Sequence, residues 1–122
     1  MPPDRAILTL AHSADADDLV MWWPITGQVR PDGSVSRPPV LDTGRLAFRA
    51  VPDDIERLNR RAQAFAANGD SSRPGGVDGY DITAISFHTY AHVRDRYALL
   101  ATGSSMGEGY GPKVVAKADA PL

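Results

Sequence analysis

The chain contains no cysteine, which excludes disulfide bridges and thiolate metal sites. It has no run of about 18 apolar residues that could span a bilayer, and no N-terminal apolar stretch resembling a signal peptide. The cytoplasm is therefore the expected compartment. Neither sign of charge dominates: 13 Lys and Arg stand against 15 Asp and Glu, for a net charge of -2. A chain so balanced gives no reason to expect nucleic acid or an anionic membrane as a partner. Three common signatures are also missing. No GK[ST] follows the glycine-rich segment, no HExxH brackets a pair of histidines, and no EF-hand ligand series accompanies the aspartates.

What is present fits a folded α/β unit. A chain of 122 residues makes one domain, or one lobe of a larger protein. About two-thirds of its unfolded surface can be buried, and 43% hydrophobic residues supply a core. The pattern alternates. Ala6 to Ala11 reads as a first strand and Asp17 to Ile25 as a first helix, ended by Thr26-Gly27. Gly27 to Gly44 reads as a loop, with a turn at Pro31-Asp32-Gly33. Leu46 to Val51 is a second strand. Pro52-Asp53-Asp54 opens a second helix, with Ile55, Leu58, Ala62 and Phe65 on one face. Asn68 to Tyr80 is a second long loop. Ile82 to Ser86 is a third strand, Phe87 to Arg96 a third helix and Tyr97 to Thr102 a fourth strand. Gly103 to Gly111 is a glycine-rich turn and Pro112 to Ala118 a fifth strand. Such alternation implies a mostly parallel sheet with right-handed crossovers and flanking helices.

Parallel strands bring their carboxyl ends to one edge, where ligands bind in folds of this class. Three segments meet there: His12 to Asp18, Val51 to Asp54, and Thr83 to His88. His12, Ser13, Asp15, Asp17 and Asp18 put hydrogen-bonding groups and charge within seven residues. Asp17 and Asp18 suit a helix's first turn as dipole partners, and could alternatively bind a hard cation. Ser86 sits at a strand-to-helix junction. Its hydroxyl can hold a substrate carboxylate, cap the helix, or do both. His12 is either a general base or a positioning group. His88 and His92 share a helix face, which suits either a solvated pair or zinc; with no third ligand nearby, no metal is expected. Trp22 and Trp23 must point in different directions, one to the core and the other towards a partner surface. The backbone of the glycine-rich turn can approach a ligand or a partner lobe.

Four ordered blocks resemble the 1,4-dihydroxy-6-naphthoate synthase family of the futalosine route to menaquinone. They are His12-Ser13-x-Asp15-x-Asp17-Asp18; Asp54-Ile55-Glu56-Arg57-Leu58-Asn59-Arg60; Asp81-Ile82-Thr83-Ala84-Ile85-Ser86-Phe87 with Tyr90-Ala91-x-Val93-x-Asp95-Arg96-Tyr97; and Gly103-Ser104-Ser105-x-Gly107-x-Gly109-x-Gly111-Pro112-Lys113-Val114-Val115. The resemblance implies one lobe, residues 1–122, of a two-lobed fold similar to type II periplasmic solute-binding proteins. It implies a cofactor-free lyase acting on cyclic dehypoxanthine futalosine, with the catalytic histidine in a second lobe and none of the catalytic residues in this chain. A lobe on its own is then expected to be inactive and to need a second lobe, another chain or a homo-oligomer. The substrate is a small-molecule carboxylate, and the substrate-binding residues implied are His12, Ser13, Asp18, Ala84, Ile85 and Ser86. The alternative reading is a non-catalytic module of the solute-binding class that holds a small carboxylate ligand.

Overall fold

A computed structural model describes residues 5–30, 32, 34–69, 78–104 and 108–109. Its centre is strand β1 (Ala6–His12), which pairs in parallel with β4 (Leu46–Pro52) over seven residue pairs, Ala6 with Leu46 through His12 with Pro52. On its other side β1 pairs in parallel with the two-residue β5 (Ile82–Thr83), Leu10 with Ile82 and Ala11 with Thr83. The order β4-β1-β5 makes β1 the interior strand. That position explains its run of apolar residues, because Leu10 and Ala11 must be shielded on both faces. Leu10, Ala11 and His12 are at most 2% exposed.

Among the described residues three helices flank this sheet: α1 (Ala16–Thr26), α2 (Ile55–Asn68) and α3 (Phe87–Val93). From β1 the chain passes to β4 on one side, then returns across β1 to β5 on the other. Right-handed crossovers in opposite directions send α1 and α2 to opposite faces of the sheet. Helix α3 packs against α2. The core runs through these layers, with Leu58 and Ala62 of α2 and Val93 of α3 buried alongside Leu10. The observed architecture is thus α/β with a mostly parallel sheet and flanking helices.

Side-chain caps start α2 and α3. The Asp54 carboxylate accepts hydrogen bonds from the Glu56 and Arg57 amides at 2.9 and 3.3 Å, satisfying two N–H groups at the head of α2. Ser86 caps α3 in the same way, accepting from the Thr89 amide at 3.2 Å. At the end of α1, Gly27 adopts a φ of 79°, and its amide donates to the Trp23 carbonyl at 2.8 Å. A Cβ there would collide with the Arg37 carbonyl oxygen, so only glycine fits.

The structure corrects several boundaries. The expected loop from Gly27 to Gly44 contains an antiparallel pair, β2 (Gln28–Val29) and β3 (Val35–Arg37). Its strands are too short and too polar to stand out as alternating patterns. The expected third strand ends at Thr83 rather than Ser86, because the Ser86 amide leaves the ladder and donates to Asn59 Oδ1 at 2.9 Å. The third helix stops at Val93 and closes in a turn, where the Arg96 and Tyr97 amides both donate to the Val93 carbonyl. Tyr97 to Thr102 is irregular rather than a strand, with its Leu99 and Leu100 side chains exposed. The expected fifth strand at 112–118 lies outside the described residues, as does much of the glycine-rich turn.

Replacing Asp54 with alanine is expected to lower stability by about 1 kcal/mol, the usual cost of a lost N-cap. Leu10→Ala, at a fully enclosed site, is expected to cost about 2–5 kcal/mol. Urea unfolding followed by circular dichroism ranks the two. Equal costs would mean that the interior of β1 is not the centre of the core.

Candidate functional site

The helices leave the sheet towards opposite faces after β1 and after β5, so a crevice opens between the carboxyl ends of these neighbouring strands. A cavity of about 440 Å³ lies there, a size suited to a small organic ligand. Three stretches wall it, together with Ile55 at the start of α2. Ser13, Asp15, Asp17, Asp18 and Trp22 come from the end of β1 and from α1. Asp81 to Phe87, with Tyr90, come from β5 and α3. Tyr97 to Leu100, then Thr102 to Ser104, close the remaining side.

Of the residues expected at the site, Ser13, Asp18, Ala84, Ile85 and Ser86 all line this cavity. His12 is not among the lining residues. It is buried, and its Nδ1 donates to the Ser13 carbonyl at 2.7 Å. A carbonyl can only accept, so this bond assigns the proton to Nδ1 and fixes the ring plane. The histidine thus braces the first residue of the site from below. Asp18 braces the same residue from the other side, with Oδ2 accepting from the Ser13 amide at 2.9 Å. The Ser13 hydroxyl accepts from the Asp15 amide at 3.2 Å. These three bonds hold the turn between β1 and α1 in one shape.

Ser86 also has a structural duty. Its hydroxyl accepts from the Thr89 amide and lies 3.1 Å from the Thr89 hydroxyl, while its amide is tied to Asn59 of α2. The backbone of 84–86 is positioned at one end by this contact and at the other by β1, where the Ala84 amide donates to the Ala11 carbonyl at 2.8 Å. In an extended strand successive N–H and C=O groups alternate sides. Ala84 faces β1, so the Thr83 backbone groups face the open edge, beside the cavity.

Asp81 is a lining residue that the sequence reading did not single out. Its Oδ2 accepts from both the amide and the hydroxyl of Thr9, each at 2.7 Å. In return its own amide donates to the Thr9 hydroxyl at 2.9 Å. These bonds, with the Arg49 charge on the neighbouring strand adding to them, hold the Asp81 carboxyl below the usual carboxylate range. No signal in the sequence marks this pairing, because its members are 72 positions apart. Burial pushes the Tyr97 phenol up, and its hydroxyl donates to the Tyr80 carbonyl at 3.3 Å. Trp22 is wedged by Gly103, whose φ is 87°; a Cβ at that position would stand 3.0 Å from the indole.

His88 and His92 lie on the exposed side of α3 with ring centroids 5.2 Å apart. Among the described residues, no three His, Asp or Glu side chains gather in a way that could hold a metal ion. Nor is any described helix long and apolar enough to cross a membrane.

The sequence profile of the family described as menaquinone biosynthesis matches residues 8–121. Over 72 residues the chain is 39% identical to a 1,4-dihydroxy-6-naphthoate synthase of Thermus thermophilus. That match covers 59% of this chain but only 22% of the Thermus protein. No solved structure matches the chain.

The lowered pKa of Asp81 has a sign that can be checked. A carboxyl whose folded pKa lies below its unfolded value stabilises the fold above the unfolded value, near 3.8. That contribution fades as pH falls from the unfolded value through the folded pKa, because the unfolded chain takes up the proton first. Acid titration of stability is therefore expected to be less steep below about pH 4 in Asp81→Asn than in the parent chain. Identical acid limbs would show that the Thr9 bonds do not persist in solution.

Proposed function

The chain belongs to the menaquinone biosynthesis family, and on that premise we propose that it works in the formation of 1,4-dihydroxy-6-naphthoate. In this reading it supplies the substrate-binding lobe of a lyase that cleaves cyclic dehypoxanthine futalosine. The lobe would be of the type II periplasmic-binding-protein kind and would form one wall of a cleft. The observation that carries the proposal is the convergence of Ser13, Asp18, Ala84, Ile85 and Ser86 on one cavity at the carboxyl edge of the sheet. The identity to the Thermus synthase supports the same reaction. Membership of a biosynthetic family disfavours the rival reading as a non-catalytic solute-binding module.

Each residue then has a role. The 84–86 backbone and Asp18 contact substrate. His12 holds Ser13 in place from beneath and does not line the cavity. The three histidines of the sequence are His12, His88 and His92, and the family resemblance puts the base on a second lobe. A general base is worth about 10²–10⁴ in rate, and orientation by a facing lobe adds to that.

The 122-residue chain is expected to bind cyclic dehypoxanthine futalosine in calorimetry and to form no naphthoate by chromatography. Adding the separately expressed remainder of the Thermus synthase is expected to restore turnover. Asp18→Ala is expected to lower the restored rate roughly tenfold, as for a lost charged hydrogen bond. Absence of binding would sink the proposal. Robust turnover by the chain alone would relocate the base, with His12 the first residue to substitute.

A further inference from the structure

The polar groups of the cavity favour one kind of ligand chemistry. Asp18 of α1 and Asp81, just before β5, both line it, and each has one oxygen already committed: Asp18 Oδ2 to the Ser13 amide, Asp81 Oδ2 to the amide and hydroxyl of Thr9. These internal bonds fix the plane of each carboxylate. Among the described residues the second oxygen of each makes no hydrogen bond. A fixed carboxylate with one open oxygen accepts well from a hydroxyl and repels an anion. The remaining walls include the faces or edges of Trp22, Tyr90 and Tyr97. No Lys, Arg or His of the described residues lines the space. Carboxylate acceptors beside aromatic surfaces suit an uncharged ring bearing hydroxyls, whose C–H face packs on the ring systems while its O–H groups meet the acids.

We infer that the cavity receives the uncharged, hydroxyl-bearing, sugar-like part of the ligand, held by Asp18 and Asp81 against Trp22. This deepens the function proposed above and rests on the same cavity. It orients the substrate: the sugar-derived end enters the crevice beyond the carboxyl ends of β1 and β5, and the carboxylate end points away from the two acids. The inference therefore departs from the expectation that a ligand carboxylate is the group gripped here.

The test is fluorescence titration of the full chain carrying Trp23→Phe, so that Trp22 is the reporting indole. The probes are methyl β-ribofuranoside, benzoate and cyclic dehypoxanthine futalosine. The riboside is expected to change the emission and to bind more tightly than benzoate. Asp18→Asn keeps an acceptor for the Ser13 amide but removes the charge. It is expected to weaken riboside about tenfold, the loss of one charge-assisted hydrogen bond, and to strengthen benzoate by relieving repulsion. Asp81→Asn is expected to move both ligands in the same directions, and unchanged circular dichroism in either variant confirms folding. Benzoate binding at least as tightly as riboside, or riboside binding indifferent to both substitutions, overturns the inference. If the futalosine derivative binds while riboside does not, the orientation is wrong and the proposed function stands. If riboside binds and the futalosine derivative does not, the hydroxyl site stands and the proposed function falls. If none of the three binds, both fall.

Discussion

The reciprocal clamp between Thr9 and Asp81 is the contact on which the site depends. β5 meets β1 over only two residue pairs, too little ladder to fix a strand. The clamp adds three hydrogen bonds just before that ladder, and the Thr9 hydroxyl donates in one and accepts in another. Slipping β5 by one residue would exchange its two faces and carry Thr83 and Ala84 away from their places. The clamp prevents this at the strand's start, and Asn59 of α2 secures the chain past its end through the Ser86 amide. The segment 81–86 is thus pinned from two different layers of the fold. A cavity wall made of irregular backbone needs such restraint, since it has no long ladder of its own.

The same polar groups build the fold and line the crevice. Asp18 orders the turn after β1, and Ser86 starts α3. Both residues line the cavity and also hold backbone groups of the fold. The geometry explains why the two duties coincide. At the carboxyl edge of a parallel sheet each strand must turn into a helix, and helix starts need oxygen acceptors for free N–H groups. Side chains recruited for that task gather where ligands bind.

The sequence revealed the elements that carry a strong local signal. Seven paired residues in β1 and β4 and the fourteen-residue amphipathic α2 were readable because their patterns are long. Asp54 was readable at its helix start from residue type and position alone. The polar turn between β1 and α1 was readable because its polar residues interrupt an apolar strand. Other features were not readable, each for a physical reason. Residues 97–102 look like a strand in composition, yet their path follows the Val93 turn and the Tyr97 contact with Tyr80. β5 is shorter than its apolar run, because a side chain of α2 takes over the Ser86 amide. The inward setting of His12 depends on a single bond to the next residue's carbonyl, which residue type does not disclose.

Pro24 lies inside α1, yet its carbonyl is used from outside the helix: the amides of Val40 and Leu41 both donate to it at 3.0 Å. One acceptor therefore anchors the far end of the excursion that begins at Gly27 and contains β2 and β3. Hydrogen exchange at these two amides is consequently linked. A movement that withdraws the Pro24 carbonyl frees both, so the excursion has a common latch whose opening leaves the pairing of β1 with β4 and β5 intact. The ribbon of β2 and β3 is thereby fastened to the same helix whose first turns wall the crevice.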